Sequence, residues 1–174
     1  MTDLPADMDA ETRLAGAASD TPPDHRDELR LWLRLLTCTT LIEGEVRSRL
    51  RERFDVTLPR FDLMAQLEKA PEGLTLGDLS RRMMVSNGNI TGLVERLVDS
   101  GTIVRVAHPT DRRIAYVRLT EAGHAAFAEM AREHAEWIGN LFSRLPAAEV
   151  RTLLRLLGEL KHSVRASVAR EGEP

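Results

Sequence analysis

The stretch SNGNITGLVERLVDSG, residues 86–101, carries a helical period on one side and residues that oppose helix formation on the other. Ile90, Leu93, Val94, Leu97 and Val98 recur at the spacing that lines one face of an α-helix. Gly88 and Gly92 fall inside the same stretch, each costing roughly 1 kcal/mol relative to alanine in a helix interior. The amides of Asn87 and Asn89 compete for the backbone and weaken the helix further. With Ile90 at the centre of the inner face, Gly88, Asn89, Gly92, Glu95 and Arg96 lie on the outer side. Thr91 lies at the flank, and Ser86 and Asn87 at the helix tip. Such a helix packs firmly on a core and leaves a small, amide-bearing face for close approach by a partner.

The remaining chain supplies that core. One long helix is expected from about Arg26 to Phe54, with Leu31, Leu35, Cys38, Ile42, Val46 and Leu50 as its apolar stripe. Arg47, Arg49, Arg51 and Arg53 cluster near its end, where cations favour the helix dipole. TLPRFDLMAQLE forms a second helix, with Pro59 near its start and Pro71-Glu72-Gly73 as its stop. In LTLGDLSRRMMV, Leu74 opens a short strand, Thr75 and Asp78 cap a third helix, and Leu79 and Met83 point inward. Ser86 caps the helix that follows and Gly101 stops it. TIVRVAHP and IAYVRLT alternate at the β period and are joined by TDRR, which predicts a hairpin. Thr120 caps a fifth helix, and Pro146 opens a sixth with Val150, Leu153, Leu154, Leu157, Leu160 and Val164 as its stripe.

The resulting order predicts a mainly α chain: a helix-turn-helix with an appended β-hairpin, the winged form, over residues 58–120. Residues 25–57 and 121–169 form long helices too apolar on one side to stand alone, and are expected to make a platform joining two subunits. Residues 1–24, rich in Asp, Ala, Thr and Pro, are expected to be a disordered acidic tail, with a second short tail at 170–174.

The net charge of −3 argues against a nucleic-acid partner until its distribution is considered. Eight acids and two bases lie in residues 1–28, so the remainder carries +3. Residues 76–120 hold seven arginines and four acids, again +3, and local charge governs a binding face. Of the 24 basic residues only Lys69 and Lys161 are lysine. Arginine suits bidentate contacts to phosphate and guanine, although a high-GC genome produces the same bias. Duplex DNA is therefore the expected partner of the helix that Ser86 caps. Ser86, Asn87, Gly88, Asn89, Thr91 and Arg96 are the candidate contacts on that helix, preceded by Arg81 and Arg82. The hairpin tip adds Asp111, Arg112 and Arg113. Arginine there reaches a narrow minor groove, and Asp111 holds Arg113 by a charged hydrogen bond.

DRRIAYVRLTEAG, Asp111 to Gly123, resembles the D-x-R…V-x-L-T-x-x-G signature of the MarR (multiple-antibiotic-resistance regulator) family. The likeness extends through LTLGDLSRRMMVSNGNITGLVERLVDSGTIVR and covers about Leu29 to Val164. It implies an obligate homodimer of winged-helix subunits, joined by the first, fifth and sixth helices and bound to a pseudo-palindromic operator. Asp111 then orients Arg113 in the wing, and the helix from Ser86 reads the major groove. Gly92 departs from the pattern, because many relatives carry a larger polar or basic residue there. Base readout shifts to Asn87, Asn89, Thr91 and Arg96.

Family members usually repress transcription and release DNA when a small anion, often aromatic, binds between platform and winged domain. LRLWLRLLTCTTLIEGEVRSRL…TLPRFDLMAQLE is similar to members governing aromatic-acid catabolism, some of which respond to hydroxycinnamoyl or other aryl-CoA thioesters. Trp32, Phe61 and Met64 offer an apolar aromatic slot for such an effector, and Arg60 or the cluster from Arg47 offers the cation for carboxylate or phosphate. The same three apolar residues also read as plain core. Two other functions remain open from sequence: a redox sensor built on Cys38, and a winged helix that binds only protein. No cofactor is expected, His25, His108, His124, His134 and His162 lack metal-ligand spacing, and no catalytic motif marks an enzyme. With no apolar run of about 18 residues and no secretory pattern, a cytoplasmic location is expected.

Overall fold

The computed structural model describes residues 25–107 and 115–171. Six helices and one β-hairpin occur among them, in the order α1 (Arg26–Phe54), α2 (Leu58–Glu68), α3 (Leu76–Met83), α4 (Asn87–Asp99), β1 (Ile103–Ala107), β2 (Ala115–Leu119), α5 (Glu121–Leu141) and α6 (Ala147–Glu171). The winged helix-turn-helix expected from the pattern is therefore the observed fold. Asp111, Arg112 and Arg113 lie outside the described residues, as do residues 1–24 and 172–174; Arg170 and Glu171, expected in the second tail, instead continue α6 to its end. The chain divides into two compact units between Met130 and Ala131, inside α5 and beyond Thr120, where the alternating β pattern ends.

In the first unit α1 is half engaged. Val46 and Leu50 are buried, whereas Leu31, Trp32, Leu36 and Leu41 are exposed, and so is Cys38. The stripe position of Cys38 predicted burial, but only the C-terminal half of α1 meets the core. Asp27 and Glu28 open the helix and Arg51 and Arg53 close it, each sign matching the dipole. Asp55 ends it in the left-handed region at φ 52°, donating to Arg51 O at 3.1 Å, while Val56 N–H donates to Leu50 O at 3.3 Å.

The core is built on α2, whose Phe61, Leu63, Met64 and Leu67 are all buried. Phe61 stacks at a tilt on Phe127 with ring centroids 5.5 Å apart. Leu79 of α3, Ile90, Val94 and Leu97 of α4, and Ile103, Val117 and Leu119 of the hairpin complete it. The hairpin is antiparallel, with Ile103 opposite Leu119 and Ala107 opposite Ala115. Leu74 contributes a single bridge to Val117, donating to its carbonyl at 3.1 Å and accepting from its N–H at 2.8 Å. The short strand read at Leu74 is thus one residue pair. Gly73 makes the approach possible. It sits at φ +91°, and a Cβ there would stand 2.8 Å from Arg118 Cγ and 2.9 Å from Val117 O.

The L-T-x-x-G run has an equally local cause. Thr120 N–H donates to Thr102 O at 3.0 Å, and its hydroxyl lies 2.8 Å from Gly101 O. The same hydroxyl oxygen accepts from Gly123 N–H at 3.0 Å, capping α5. Gly123 is buried with its Cα against the Thr102 carbonyl. His124 Nδ1 reaches Glu68 Oε2 at 2.7 Å, tying the start of α5 to the end of α2.

Asp62 is exposed as a residue, but desolvation of its carboxyl by the surrounding chain, and secondly the like charge of Glu43, raise that group above its ordinary value of 3.8. The folded chain thus holds this proton more tightly than the unfolded one, so stability falls as pH rises from 3.8 through the raised value. Asp62→Asn is expected to raise the melting temperature at pH 7, with the gain shrinking as pH is lowered toward 4. Thermal melts across that range check both the sign and the trend.

In the second unit α6 carries Leu153, Leu154, Leu157, Val164 and Val168 exposed at helical spacing. Among the described residues, no helix is long and apolar enough to cross a membrane, and no group of three metal-ligating side chains occurs.

Candidate nucleic-acid interface

The turn between α3 and α4 is held by its own side chains. Thr75 and Asp78 form the capping box that starts α3: Thr75 Oγ1 accepts from Asp78 N–H at 3.1 Å, and Asp78 Oδ2 accepts from Thr75 N–H at 3.3 Å and Oγ1 at 2.6 Å. The Thr75 hydroxyl bond is the largest of the causes holding the Asp78 carboxyl below its usual range, and Arg81 adds to it. Met84 then takes the left-handed conformation at φ 56°, fully turned to solvent. Ser80 N-terminal to it closes the corner, its hydroxyl donating to Val85 O at 2.6 Å while Val85 N–H donates to Ser80 O at 3.2 Å.

This corner aims α4. Ser86 is its N-cap and accepts from Asn89 N–H at 3.4 Å, and the Thr91 hydroxyl donates to Asn87 O at 2.9 Å. Ile90 and Val94 are fully buried, which fixes the helix in rotation. Ser86, Asn87, Gly88, Asn89 and Arg96 are consequently exposed, with Thr91 and Gly92 at the margin. A Cβ at Gly88 or Gly92 would meet nothing within 4 Å, so neither glycine serves packing among the described residues. The outer face is a shallow groove of about 370 Å³ whose lining includes Pro59, Val85, Gly88, Asn89, Gly92 and Arg96.

Arg82 and Arg96 are exposed, and Arg81 pairs with Asp78. Arg96 forms no ion pair with Glu95 or Asp99, although both are within reach along the helix. The exposed face of α4 presents amides and a hydroxyl at its N-terminal end and the Arg96 guanidinium in its last turn. That set can donate to phosphate oxygens and to base edges.

The residues proposed from sequence for an anionic effector are not brought together in one place. Phe61 and Met64 stand in the core at 6% and 1% exposure, whereas Trp32 is 57% exposed. Arg47 lines a separate cleft of about 340 Å³, with Gly44, Ser48, Arg51, Thr57 and Pro59 among its other walls. Arg60 is part-buried, and its Nε has no hydrogen-bond partner among the described residues. Sequence reasoning used the arginines near the end of α1 only as a cluster and missed that two of them open beside Pro59. The i, i+3, i+4, i+7 spacing of Gly44, Arg47, Ser48 and Arg51 carries that signal.

Comparison with known proteins follows the same lines. Residues 54–114 match the sequence profile of the MarR family. The transcriptional activatory protein BadR of Rhodopseudomonas palustris is 28% identical over 83% of this chain and 87% of its own length. A MarR family transcriptional regulator from Silicibacter pomeroyi has a solved structure with a TM-score of 0.71 and 28% identity, covering 83% of this chain and 99% of that one. A mutant MarR from E. coli, solved in complex with operator DNA, shares the fold at a TM-score of 0.68 and 24% identity, covering 78% and 96%. Matched segment, relatives and fold point the same way: the chain resembles MarR family transcriptional regulators, in sequence profile over residues 54–114 and in fold over most of its length.

Proposed function

We propose that this chain is a homodimeric regulator that binds a pseudo-palindromic operator in duplex DNA, represses the promoter it occupies, and lets go when a small aromatic acid or its CoA thioester binds. The observation that carries the DNA reading is the division of α4: Ile90 and Val94 fully buried on one side, and an exposed amide, hydroxyl and glycine surface on the other. Ser86, Asn87, Asn89 and Thr91 then meet bases and phosphates in the major groove, where Gly88 and Gly92 admit the helix backbone closely. Arg81, Arg82 and Arg96 supply phosphate or guanine contacts, and Arg112 and Arg113, the latter held by Asp111, grip the adjacent minor groove. A second copy covers the apolar rows left exposed on α1 (Leu31, Trp32, Leu36, Leu41) and on α6.

For the effector, support comes from Arg60, whose buried Nε lacks a partner and favours an anion nearby. Trp32 and Arg47 are open to a ligand, while Phe61 and Met64 take part only if the core beside α2 yields. Release requires that the ligand prefer one spacing of the two reading helices over the other; shifting occupancy from nearly full to nearly empty takes about 5 kcal/mol of differential affinity. BadR is named an activator, so a promoter–reporter assay determines the sign here, and repression is the expected result.

Fluorescence anisotropy with duplex from the promoter beside the chain's own locus tests the core of this reading. Affinity is expected to fall steeply with salt, by about 0.9 in the log–log slope per neutralised phosphate. Arg113→Ala is expected to weaken binding with the dimer intact by size-exclusion chromatography. A flat salt response overturns the DNA reading. Thermal-shift screening of aromatic acids and their CoA thioesters tests the effector class.

A further inference from the structure

We infer that the arginine cleft at the end of α1 is a second contact for backbone phosphate, extending the DNA interface beyond the helix-turn-helix and the hairpin. The inference rests on the DNA-binding reading above. Gly44, Arg47, Ser48 and Arg51 fall on one face of α1, and the cleft they line is closed on its other side by Thr57, Leu58 and Pro59 at the start of α2. No carboxylate is among its walls. Arg47 is held loosely, 3.8 Å from Glu43 with both side chains more than half exposed. Arg51 is exposed, and its guanidinium makes no ion pair or hydrogen bond with any described residue. Thr57 caps α2 without a side-chain hydrogen bond, so its hydroxyl is available. Ser48 is partly committed, donating to Glu52 at 2.7 Å.

Position turns this cationic cleft into part of an interface. Pro59 lines both the cleft and the groove over the outer face of α4. A duplex seated in that groove, with the tip of α4 in its major groove, carries a phosphate strand across Pro59 and toward Arg47 and Arg51. The dipole account of these arginines explains why cations are tolerated at the end of α1. It does not explain why two of them face a cleft that abuts the reading helix. The ligand chemistry is a phosphate oxyanion, and the two possible sources are DNA and free phosphate.

The test uses the full chain and a duplex selected from a random-sequence pool. Arg51→Ala is expected to lower affinity roughly tenfold at physiological salt and to make the log–log salt slope shallower by about 1.8, one phosphate per subunit of a dimer. Arg51→Lys is expected to keep most of the slope, because a point charge serves a phosphate. Ethylation interference with the unmodified chain should mark phosphates beyond the bases α4 reaches, and those marks should vanish with Arg51→Ala. An unchanged slope and an unchanged interference pattern overturn the inference while leaving the DNA reading intact. So does stabilisation of the unmodified chain, but not the variant, by inorganic phosphate alone when DNA binding is equal in both. If the unmodified chain selects no duplex, both readings fall together.

Discussion

Gly123→Ala is expected to destabilise the winged unit by about 3 kcal/mol or more, lowering the melting temperature by roughly 6–12 °C for a chain of this size. The alanine Cβ would stand 2.0 Å from Thr102 O and 3.0 Å from Thr102 C. Both are backbone atoms at the junction of α4 and β1, so no side chain can rotate away. Relief requires α5 to lift from the turn, which stretches the Gly123–Thr120 cap at 3.0 Å and disturbs the Thr120 hydroxyl beside Gly101 O. Differential scanning calorimetry gives the measurement. A melting temperature within a degree of the parent would show that the close approach at Gly123 is not a constraint in solution.

Arg96→Glu is expected to have the largest effect on DNA binding of any single exposed substitution on α4. Arg96 lines the outer groove and makes no ion pair with its helical neighbours, so changing it disturbs nothing inside the chain. A lost arginine contact costs about 1–3 kcal/mol per half-site. Two half-sites make that about 2–6 kcal/mol, a 30-fold to 10⁴-fold loss of affinity. Surface substitutions of this kind change stability by about 0.5 kcal/mol or less, so the melt should be nearly unchanged. Anisotropy and calorimetry on the same preparation separate the two quantities, and undiminished affinity would remove Arg96 from the interface.

Much of this architecture is legible in the sequence because its signals are local. The Thr75–Asp78 capping box, the Ser86 cap and the 3.6-residue period of α4 each involve residues within a few positions of one another. What escaped is what depends on distant partners. The period of α1 predicted a continuous buried stripe, yet burial requires something to pack against, and only Val46 and Leu50 of this helix are buried among the described residues. Cys38 and Leu41 are exposed for that reason. Phe61 and Met64 have the composition of a ligand slot, but their enclosure by α2's neighbours is a tertiary fact no spacing reveals. The shared wall at Pro59 is likewise invisible until α1, α2 and α4 are placed together.

The knot around Thr120 bears on where this chain could be cut and re-joined. A chimera that transplants a foreign reading head and splices at the end of β2 would cut between Thr120 and the Gly123 it caps, and would part His124 from Glu68 and Phe127 from Phe61. The graft that carries its own foundations runs on through the first turns of α5 to Met130, where the compact unit ends.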